Sequence, residues 1–552
     1  RSREEKAMSG QFDYVAHSKK MREQGWWQDR TTDDLLEVAV AKYPDKKAIV
    51  AYRMDRGFDA PTKVMTYREL SDAIALAAGS FRALGIGKGD IVGLMVPNWW
   101  EFVVSAYALF RIGAVANPLM HIFRERELRF MLGFAEAKAI IIPKMFRGHD
   151  FEKMLDGLKP ELPKLQHIVV VDGEGSRSFD NLIMKSGAKP VSAEEGTPAK
   201  PDEMSVLMYT SGTTGEPKGV MHCFNTLIAC GKALGARLHH DENVVHFGST
   251  PFGHMTGYAA VLIQALYHGN TVVFPDVWEP KAGVEIMARE GATHMAAATP
   301  FLADIVRLVG EGAPKPPLKT FLCAGAPIPP VIIENARKLM GLNVSSCWGM
   351  TESLGGSLTE PERAADKSVS SDGRPVDGVE VLIADENLQP MPTGKTGRLF
   401  FRGAQQFIGY YKKPGLDGRG AEGWFDTGDL AFMDADGYIR IDGRTKDIII
   451  RGGENVPVAE IESILYRHPN ITDAAIVGYP DKRMGERGCA FVVVKQGNSF
   501  TMDDLREWMG QSGAAKQYWP EAVEVVEAMP RTATGKIQKF VLKDKAAKHA
   551  AD

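Results

Sequence analysis

The sequence predicts an α/β protein with a large N-terminal domain and a small α+β C-terminal domain. Three observations predict it: helix-like and strand-like blocks alternate up to Gly373, short strands with glycine turns follow, and the pattern changes again near Asp442. The large domain, residues 1–442, is predicted to contain two α/β sheet subdomains and a β-rich subdomain. The small domain is predicted over residues 443–552.

The first α/β stretch runs from about Thr31 to Pro143. The segment "MTYRELSDAIALAAGSFRALGIGKGD" has a capping-box pattern at Thr66 and Glu69, apolar residues at helical spacing and glycines at its end. It therefore predicts a helix. The apolar segments "IVGLMVPN" and "AKAIIIP" predict buried strands of a mostly parallel sheet.

A second α/β stretch begins at "MSVLMYTSG" and continues through "NTVVFPDVW", "GATHMAAATP" and "LKTFLCAGAPIPP". The segment "GVEVLIADENLQPMPTGKTGRLFFRG" then predicts short strands joined by glycine turns. Beyond it, "GYIRIDGRTKDIIIRGGENVPVAEIESILYRHP" passes from a strand through a charged turn and a glycine loop to a helix that starts at Pro457. This last change marks the predicted domain boundary.

Composition excludes several classes of protein. The chain has 552 residues, of which 25% are charged, and its net charge is -4. It therefore lacks the excess of basic residues that is typical of a nucleic-acid-binding protein. Its five cysteines are scattered without a C-x-x-C pair, which disfavours a disulfide framework and a zinc site. The charged first residues do not resemble a secretory signal, and no apolar stretch has the roughly 20 residues of a membrane span. We expect a cytoplasmic protein with neither a nucleic-acid partner nor a transmembrane segment.

The segment "YTSGTTGEPKGV", Tyr209 to Val220, is rich in glycine and hydroxyl groups, as phosphate-binding loops are. It does not match the P-loop, because Lys218 follows Pro217 and Gly219 stands where a serine or threonine would bind magnesium. Alone, such a stretch is more typical of a glycine-rich surface turn. As a phosphate-binding loop it would use Thr210, Ser211, Gly212, Thr213, Thr214, Gly215 and Lys218.

Four further motifs follow in order, and together with this loop they resemble the adenylate-forming superfamily. The motifs are "CWGMTE" from Cys347, "WFDTGDL" from Trp424, "GRTKDIIIRGGENV" from Gly443 and "PRTATGKIQK" from Pro530. The superfamily includes acyl-CoA synthetases, aryl-acid ligases, luciferases and peptide-synthetase adenylation domains. The resemblance covers nearly the whole chain. It implies a carboxylate–CoA ligase that uses ATP to form an acyl-AMP and then a thioester, releasing AMP and pyrophosphate.

The resemblance also implies roles for single residues, and these roles suit the chemistry. Glu352 offers a carboxylate for Mg²⁺, Thr351 lies beside the α-phosphate, and Lys536 brings a mobile charge to the incoming carboxylate. Asp429 would accept hydrogen bonds from the ribose hydroxyls, assisted by Arg444. The indole of Trp348 would stack on adenine. The remaining nucleotide contacts would come from Ala324, Gly325, Ala326, Pro327, Gly349 and Met350.

The resemblance implies that the small C-terminal domain is mobile and takes one pose for each half-reaction. The resemblance places a hinge at Lys446; one pose presents Lys536 and the other presents a glycine-lined path for coenzyme A. That path would contain Gly452, Gly453 and Glu454. Lys536 also resembles lysines that are controlled by a lysine acetylase in bacterial relatives. ATP, Mg²⁺ and coenzyme A are thus the expected small molecules, and a homodimer is one expected assembly.

The segments "TPFGHMTGY" and "AAATPF" resemble the acyl pocket of the superfamily. Its predicted residues, which are mainly neutral and small, are His254, Met255, Thr256, Gly257 and Thr299. His254 is also a catalytic candidate, near the carboxylate and the thiol path. The segment has no acid to bind a substrate ammonium, which disfavours an amino acid. The segments "TPFGHMTG", "PDVWEP" and "ATPFLAD" resemble those of ligases of cyclohexanecarboxylate and related acids. We therefore expect a compact, apolar acid of the alicyclic, aromatic or medium-chain kind.

Four alternatives remain open at this stage. An acyl-AMP ligase would load a carrier protein instead of coenzyme A, and a luciferase-type oxygenase would share only the adenylation step. A P-loop NTPase would release ADP and phosphate, which the Pro217–Lys218 junction disfavours. A non-catalytic nucleotide-binding protein is disfavoured because Glu352, Asp429 and Lys536 occur together.

Overall fold

The protein is described here from a computed structural model. The structure describes residues 11–210, 217–324, 328–385, 387–444, 449–451, 454–456, 458–481, 484–512, 514, 516–531 and 537–551.

A seven-stranded sheet forms the first α/β layer. Five neighbouring strands, from Val206–Thr210 to His167–Val171, are parallel. Lys218–His222 pairs antiparallel with Val206–Thr210, and the edge strand Gly409–Tyr410 pairs antiparallel with Lys218–His222. The predicted buried strands are confirmed within it. In sheet order the strands are Gly409–Tyr410, Lys218–His222, Val206–Thr210, Val115–Pro118, Ile91–Leu94, Ala139–Pro143 and His167–Val171.

A nine-stranded sheet forms the second α/β layer. Six neighbouring strands, from Asn343–Met350 to Lys47–Tyr52, are parallel, and antiparallel strands flank them on both sides. In sheet order the strands are Arg374–Pro375, Leu354–Leu358, Asn343–Met350, Thr320–Ala324, His294–Ala297, Val245–Phe247, Thr271–Pro275, Lys47–Tyr52 and Lys63–Thr66.

Helices accompany both sheets. The predicted capping box is present: Glu69 N donates to Thr66 Oγ1 at 3.2 Å, and Thr66 N donates to Glu69 Oε2 at 2.8 Å. No helix among the described residues is long and apolar enough to cross a membrane. The helices are Tyr14–Glu23, Thr32–Lys42, Tyr67–Ala83, Trp100–Arg111, Glu125–Ala135, Phe151–Leu158, Phe224–Arg237, Met255–Gly257, Gln264–His268, Pro280–Glu290, Thr299–Gly310, Pro330–Met340 and Ala364–Ser370.

The predicted β-rich subdomain is a four-stranded antiparallel sheet. Its strands are Val379–Ala384, Gly397–Gly403, Phe425–Met433 and Ile439–Arg444. The last strand contains Asp442 and ends two residues later, and the domain boundary near this residue stays a prediction.

The C-terminal domain is α+β, as predicted. It has a core of its own around Ile461, Leu465, Ile476, Val492 and Leu505. The long antiparallel pair Ile471–Asp481 and Gly485–Val494 forms its centre. The other strands are Glu454–Val456, Ile449–Arg451 and Ala522–Val525, and the helices are Val458–Tyr466, Met502–Ser512 and Lys539–Ala546.

Candidate active site

The predicted site residues gather where parallel strands end. Ala324 and Met350 are the last residues of neighbouring parallel strands of the nine-stranded sheet, and Thr299 follows the strand His294–Ala297 closely. Carboxyl ends of parallel strands lie at one edge of a sheet, and ligands of α/β proteins bind in the crevice beyond that edge. The fold therefore brings three distant stretches of the sequence to one place.

The predicted phosphate loop connects two paired strands. Thr210 ends one strand, Lys218 begins the next, and the two residues face each other in the antiparallel ladder. The loop is thus held at both ends by the seven-stranded sheet. Ser211, Gly212, Thr213, Thr214 and Gly215 lie outside the described residues.

Glu352 lies in the turn after the strand Asn343–Met350 and is 5% exposed. Tyr410 Oη donates to its Oε1 at 2.7 Å, and Phe407 N donates to its carbonyl at 3.0 Å. Lys218 Nζ lies 4.9 Å from the centroid of the Tyr410 ring. The carboxylate is therefore held in place next to the predicted phosphate loop.

His222 fixes the neighbouring residue of this turn. Its Nε2 donates to the carbonyl of Thr351 at 2.7 Å, and its Nδ1 lies 3.0 Å from Thr226 Oγ1. Burial lowers the pKa of His222 to about 4, so the imidazole is neutral at physiological pH. The bond joins the strand after the phosphate loop to the turn that carries Thr351 and Glu352.

Tyr410 and His222 were not identified from the sequence. A sequence pattern could have indicated His222, because side chains alternate between the two faces of a strand and His222 therefore shares a face with Lys218 and Val220. Tyr410 belongs to a two-residue strand whose partner, Val220, is far away in the sequence, so no local pattern marks it.

Trp348 and Asp429 are paired in the interior of the site. Trp348 Nε1 donates to Asp429 Oδ2 at 2.9 Å, and the two residues are 6% and 5% exposed. A Cβ on Gly356 would lie 2.4 Å from the Trp348 ring, so only glycine leaves space for the indole there. The ring is largely covered by protein, and the stacking on adenine predicted for its face stays a prediction.

Asp429 lies on the strand Phe425–Met433 and faces Arg444 in the ladder of the β-rich sheet. Its backbone N donates to Thr427 Oγ1 at 3.1 Å. The predicted ribose-binding pair is therefore adjacent in the backbone, although the Arg444 side chain lies outside the described residues. At Gly349 a Cβ would lie 1.9 Å from the carbonyl of Leu354, so the "CWGM" strand requires glycine at this position.

The predicted acyl segment forms a short helix, Met255–Gly257. His254 precedes it, and His254 Nδ1 accepts a hydrogen bond from Thr256 N at 3.2 Å. Met255 is buried, and a Cβ on Gly257 would lie 2.4 Å from the Pro251 carbonyl. This segment is thus tightly packed.

Thr299, the other predicted pocket residue, is 9% exposed, and its Oγ1 lies 3.5 Å from Cys323 Sγ. Its helix begins at the same sheet edge at which the strand Thr320–Ala324 ends. Several other predicted residues cannot be located. Gly325, Ala326, Pro327, Lys446, Gly452, Gly453 and Lys536 lie outside the described residues, as does the side chain of Glu454.

Comparison with protein families gives two matches. A family described as AMP-binding enzyme matches residues 36–411, and a family described as AMP-binding enzyme C-terminal domain matches residues 460–536. The two matches follow each other along the chain in the order of its large and small domains.

Curated relatives cover nearly the whole chain. A medium-chain fatty-acid–CoA ligase of Escherichia coli K12 is 34% identical over 526 residues, which are 95% of this chain and 91% of the relative. A 2,3-dihydroxybenzoate–AMP ligase of Bacillus subtilis is 30% identical, with 95% of each chain covered. Among solved structures, an anthranilate–CoA ligase with bound anthranoyl-AMP has a TM-score of 0.84 at 26% identity, covering 95% of this chain and 98% of that one.

Proposed function

Because this chain belongs to the family of AMP-binding enzymes, we propose that it joins a compact, apolar carboxylic acid of the medium-chain, alicyclic or aromatic kind to coenzyme A. The chain is an AMP-forming acyl-CoA ligase that works through an acyl-AMP intermediate. The proposal on the acid rests on one observation above all. The acyl segment from His254 to Gly257 is compact and contains no acidic or basic side chain besides the imidazole.

In the first half-reaction a carboxylate oxygen of the acid attacks the α-phosphorus of ATP. A bond from oxygen to phosphorus forms, and the bond from that phosphorus to the pyrophosphate oxygen breaks. We assign Lys536 to the charge that develops at the attacking and leaving oxygens, and Thr351 to the α-phosphate. The hydroxyls and backbone N–H groups of the phosphate loop would hold the departing pyrophosphate.

Mg²⁺ is the metal that this family chemistry implies, and the described residues fit it. Glu352 presents a buried carboxylate, a hard oxygen ligand, next to the phosphate-loop hairpin. When bound, Mg²⁺ neutralises charge on phosphate oxygens. Asp429, held by Trp348, is assigned to the ribose hydroxyls, with Arg444 beside it.

In the second half-reaction the thiol of coenzyme A attacks the carbonyl carbon of the acyl-AMP. A carbon–sulfur bond forms, the carbon–oxygen bond to the phosphate breaks, and AMP leaves with the bonding electrons. We assign the thiol path to Gly452, Gly453 and Glu454, and the hinge between the two poses to Lys446. His254 lies at the acyl segment, where an imidazole can interact with the carbonyl or the thiol.

Four further assignments belong to this proposal. The boundary between the domains lies near residues 442–443, close to the end of the strand Ile439–Arg444. The enzyme works in the cytoplasm, and a homodimer is a proposed assembly. Acetylation of Lys536 by a lysine acetylase would remove the charge on which the first half-reaction depends.

The experiment is a panel of carboxylates from short-chain acids through cyclohexanecarboxylate and benzoate to octanoate, together with amino acids and dicarboxylates, assayed for AMP formation that depends on coenzyme A. We expect kcat/KM to be highest for a compact apolar acid and at least tenfold lower for amino acids and dicarboxylates, whose extra charges would be desolvated. A preference for a charged acid would refute the proposed substrate class. AMP formation that responds to a holo carrier protein and not to coenzyme A would favour carrier loading instead.

A further inference from the structure

The segment of residues 407–411 connects the strand Lys218–His222, which follows the predicted phosphate loop, to Glu352. Ile408 N donates to the carbonyl of Met221 at 2.9 Å, and Tyr411 N donates to the carbonyl of Gly219 at 2.8 Å. Both acceptors lie on the strand that follows the phosphate loop. On its other side the segment holds Glu352, so it joins that carboxylate to the phosphate hairpin.

Glu352 is held by this segment at its main chain and at its side chain. Phe407 N donates to the Glu352 carbonyl at 3.0 Å, and Tyr410 Oη donates to Glu352 Oε1 at 2.7 Å. A hydrogen bond to a charged group is stronger than one between neutral groups and fixes the orientation of a carboxylate. Carboxylate ligands of metals are commonly oriented by such hydrogen bonds.

Tyr410 itself has little freedom to move. It is 5% exposed, its ring centroid lies 5.0 Å from that of Phe407, and it pairs with Val220 in the sheet. The phenol lies 2.7 Å from Glu352 Oε1, and since an ionised carboxylate can only accept, the hydroxyl is the donor of this bond. The Lys218 Nζ lies over the ring, 4.9 Å from its centroid, at a distance at which a cation is attracted to the ring face.

We propose that Tyr410 is a positioning residue, which orients the Glu352 carboxylate for the divalent cation that accompanies ATP. The inference rests on the proposed function, in which Glu352 is a metal ligand.

The test measures metal binding directly rather than turnover. Mn²⁺ replaces Mg²⁺, and the free ion is followed by electron paramagnetic resonance in the presence of an ATP analogue with a methylene group between the α- and β-phosphates. Tyr410→Phe removes only the hydroxyl and keeps the ring contacts with Phe407 and Lys218. We expect the Mn²⁺ dissociation constant to rise about tenfold, as for the loss of one hydrogen bond to a charged group.

Two controls separate this inference from its premise. Tyr411→Phe changes the neighbouring tyrosine, which packs against Phe134, and should bind Mn²⁺ as the parent does. Glu352→Gln should weaken Mn²⁺ binding at least as much as Tyr410→Phe. Adding Tyr410→Phe to Glu352→Gln should produce little further loss, since the hydroxyl acts through that carboxylate.

The outcomes are distinguishable. Normal Mn²⁺ binding by Tyr410→Phe together with weak binding by Glu352→Gln overturns the positioning role and leaves the metal role of Glu352 standing. Normal binding by Glu352→Gln refutes the metal role and the inference with it. A loss in Tyr410→Phe that adds fully to that of Glu352→Gln also overturns the inference. Thermal unfolding of each variant establishes that the proteins compared are folded at the temperature of the Mn²⁺ titration.

Discussion

Trp348 Nε1 donates a hydrogen bond to Asp429 Oδ2 across 2.9 Å, and this bond joins the nine-stranded sheet to the β-rich sheet. Both side chains are almost fully buried. An indole N–H can only donate and an ionised carboxylate can only accept, so this bond fixes the orientation of the Asp429 carboxylate. This orientation supports the role at the ribose that we propose for Asp429.

The first prediction concerns this pair. Trp348→Phe removes the donor, and we expect the dissociation constant for ATP to rise about tenfold, as for the loss of one hydrogen bond to a charged group. Isothermal titration with ATP gives this value. Trp424→Phe is the control, because Trp424 lies five residues before Asp429 on the same motif and stacks on Arg402 at 4.2 Å. Equal weakening by both variants would contradict the role of Trp348.

The second prediction concerns Lys536. Lys536→Ala removes the charge assigned to adenylation, so we expect pyrophosphate exchange to fall at least about a hundredfold. Thioester formation from a supplied acyl-AMP should be largely spared, because that step uses the other pose. The control is Lys545→Ala, which removes an exposed lysine of the same domain that follows Lys536 in the sequence. Equal losses in both half-reactions would rule out this assignment of Lys536.

The third prediction concerns the hinge. Lys446→Pro restricts the backbone dihedral φ at the proposed hinge, so rotation to the second pose should be impaired. We expect thioester formation from acyl-AMP to fall several times more than pyrophosphate exchange. Lys446→Ala keeps the backbone freedom and should leave both steps near parental rates. A hinge elsewhere is indicated if the proline variant performs both steps normally.

The fourth prediction concerns acid stability and a buried histidine cluster. His246 is fully buried; its ring centroid lies 5.0 Å from that of His294 and 5.3 Å from that of His240. The His268 ring lies 6.2 Å from His240, and Asn270 Oδ1 lies 3.2 Å from His246 Nε2. Burial, the largest cause, lowers the pKa of His246 from 6.5 to about 3. As pH falls below 6.5 the unfolded chain therefore binds a proton that the folded chain does not, and stability decreases down to about pH 3.

His246→Gln removes this titration. We expect its unfolding free energy to fall less steeply between pH 6.5 and pH 4 than that of the parent, because each such histidine contributes up to about 1.4 kcal/mol per pH unit. Urea unfolding at several pH values measures the slope. The control His239→Gln changes an exposed histidine that pairs with Glu362, and should keep the parental slope. A His246→Gln slope equal to that of the parent would refute the prediction.

The fifth prediction concerns a buried ion pair in the large domain. Arg111 is 1% exposed; its Nη2 and Nε donate to Asp33 Oδ1 at 2.7 and 3.0 Å. Asp33→Asn leaves the buried guanidinium without its counter-charge, and we expect a loss of about 3–5 kcal/mol in unfolding free energy. Urea unfolding measures the loss. Glu161→Gln, at the exposed pair with Arg129, should change stability far less. Equal effects at both sites would contradict the importance of burial.

Local elements of the fold could be predicted from the sequence. The helix Tyr67–Ala83 follows from a capping box whose two residues are three apart, and the strands Ile91–Leu94 and Ala139–Pro143 follow from short apolar runs. The residue at which the last strand of the β-rich sheet ends could not be predicted from the sequence. The sequence pattern changes near Asp442, and pairing with Phe425–Met433 continues the last strand to Arg444. Strand ends depend on their partner strand, which a local pattern does not contain.

The amino-acid sequence by itself determined the α/β class, the order of the motifs and the chemistry that they imply, because glycine turns, caps and apolar periodicity act between residues that are close in the chain. Only the tertiary structure decided how the site is held together. Tyr410 meets Glu352 across 58 residues, Trp348 meets Asp429 across 81, and His222 meets Thr351 across 129. Such contacts are set by sheet register and by the packing of separate sheets, which bring distant residues to hydrogen-bonding distance.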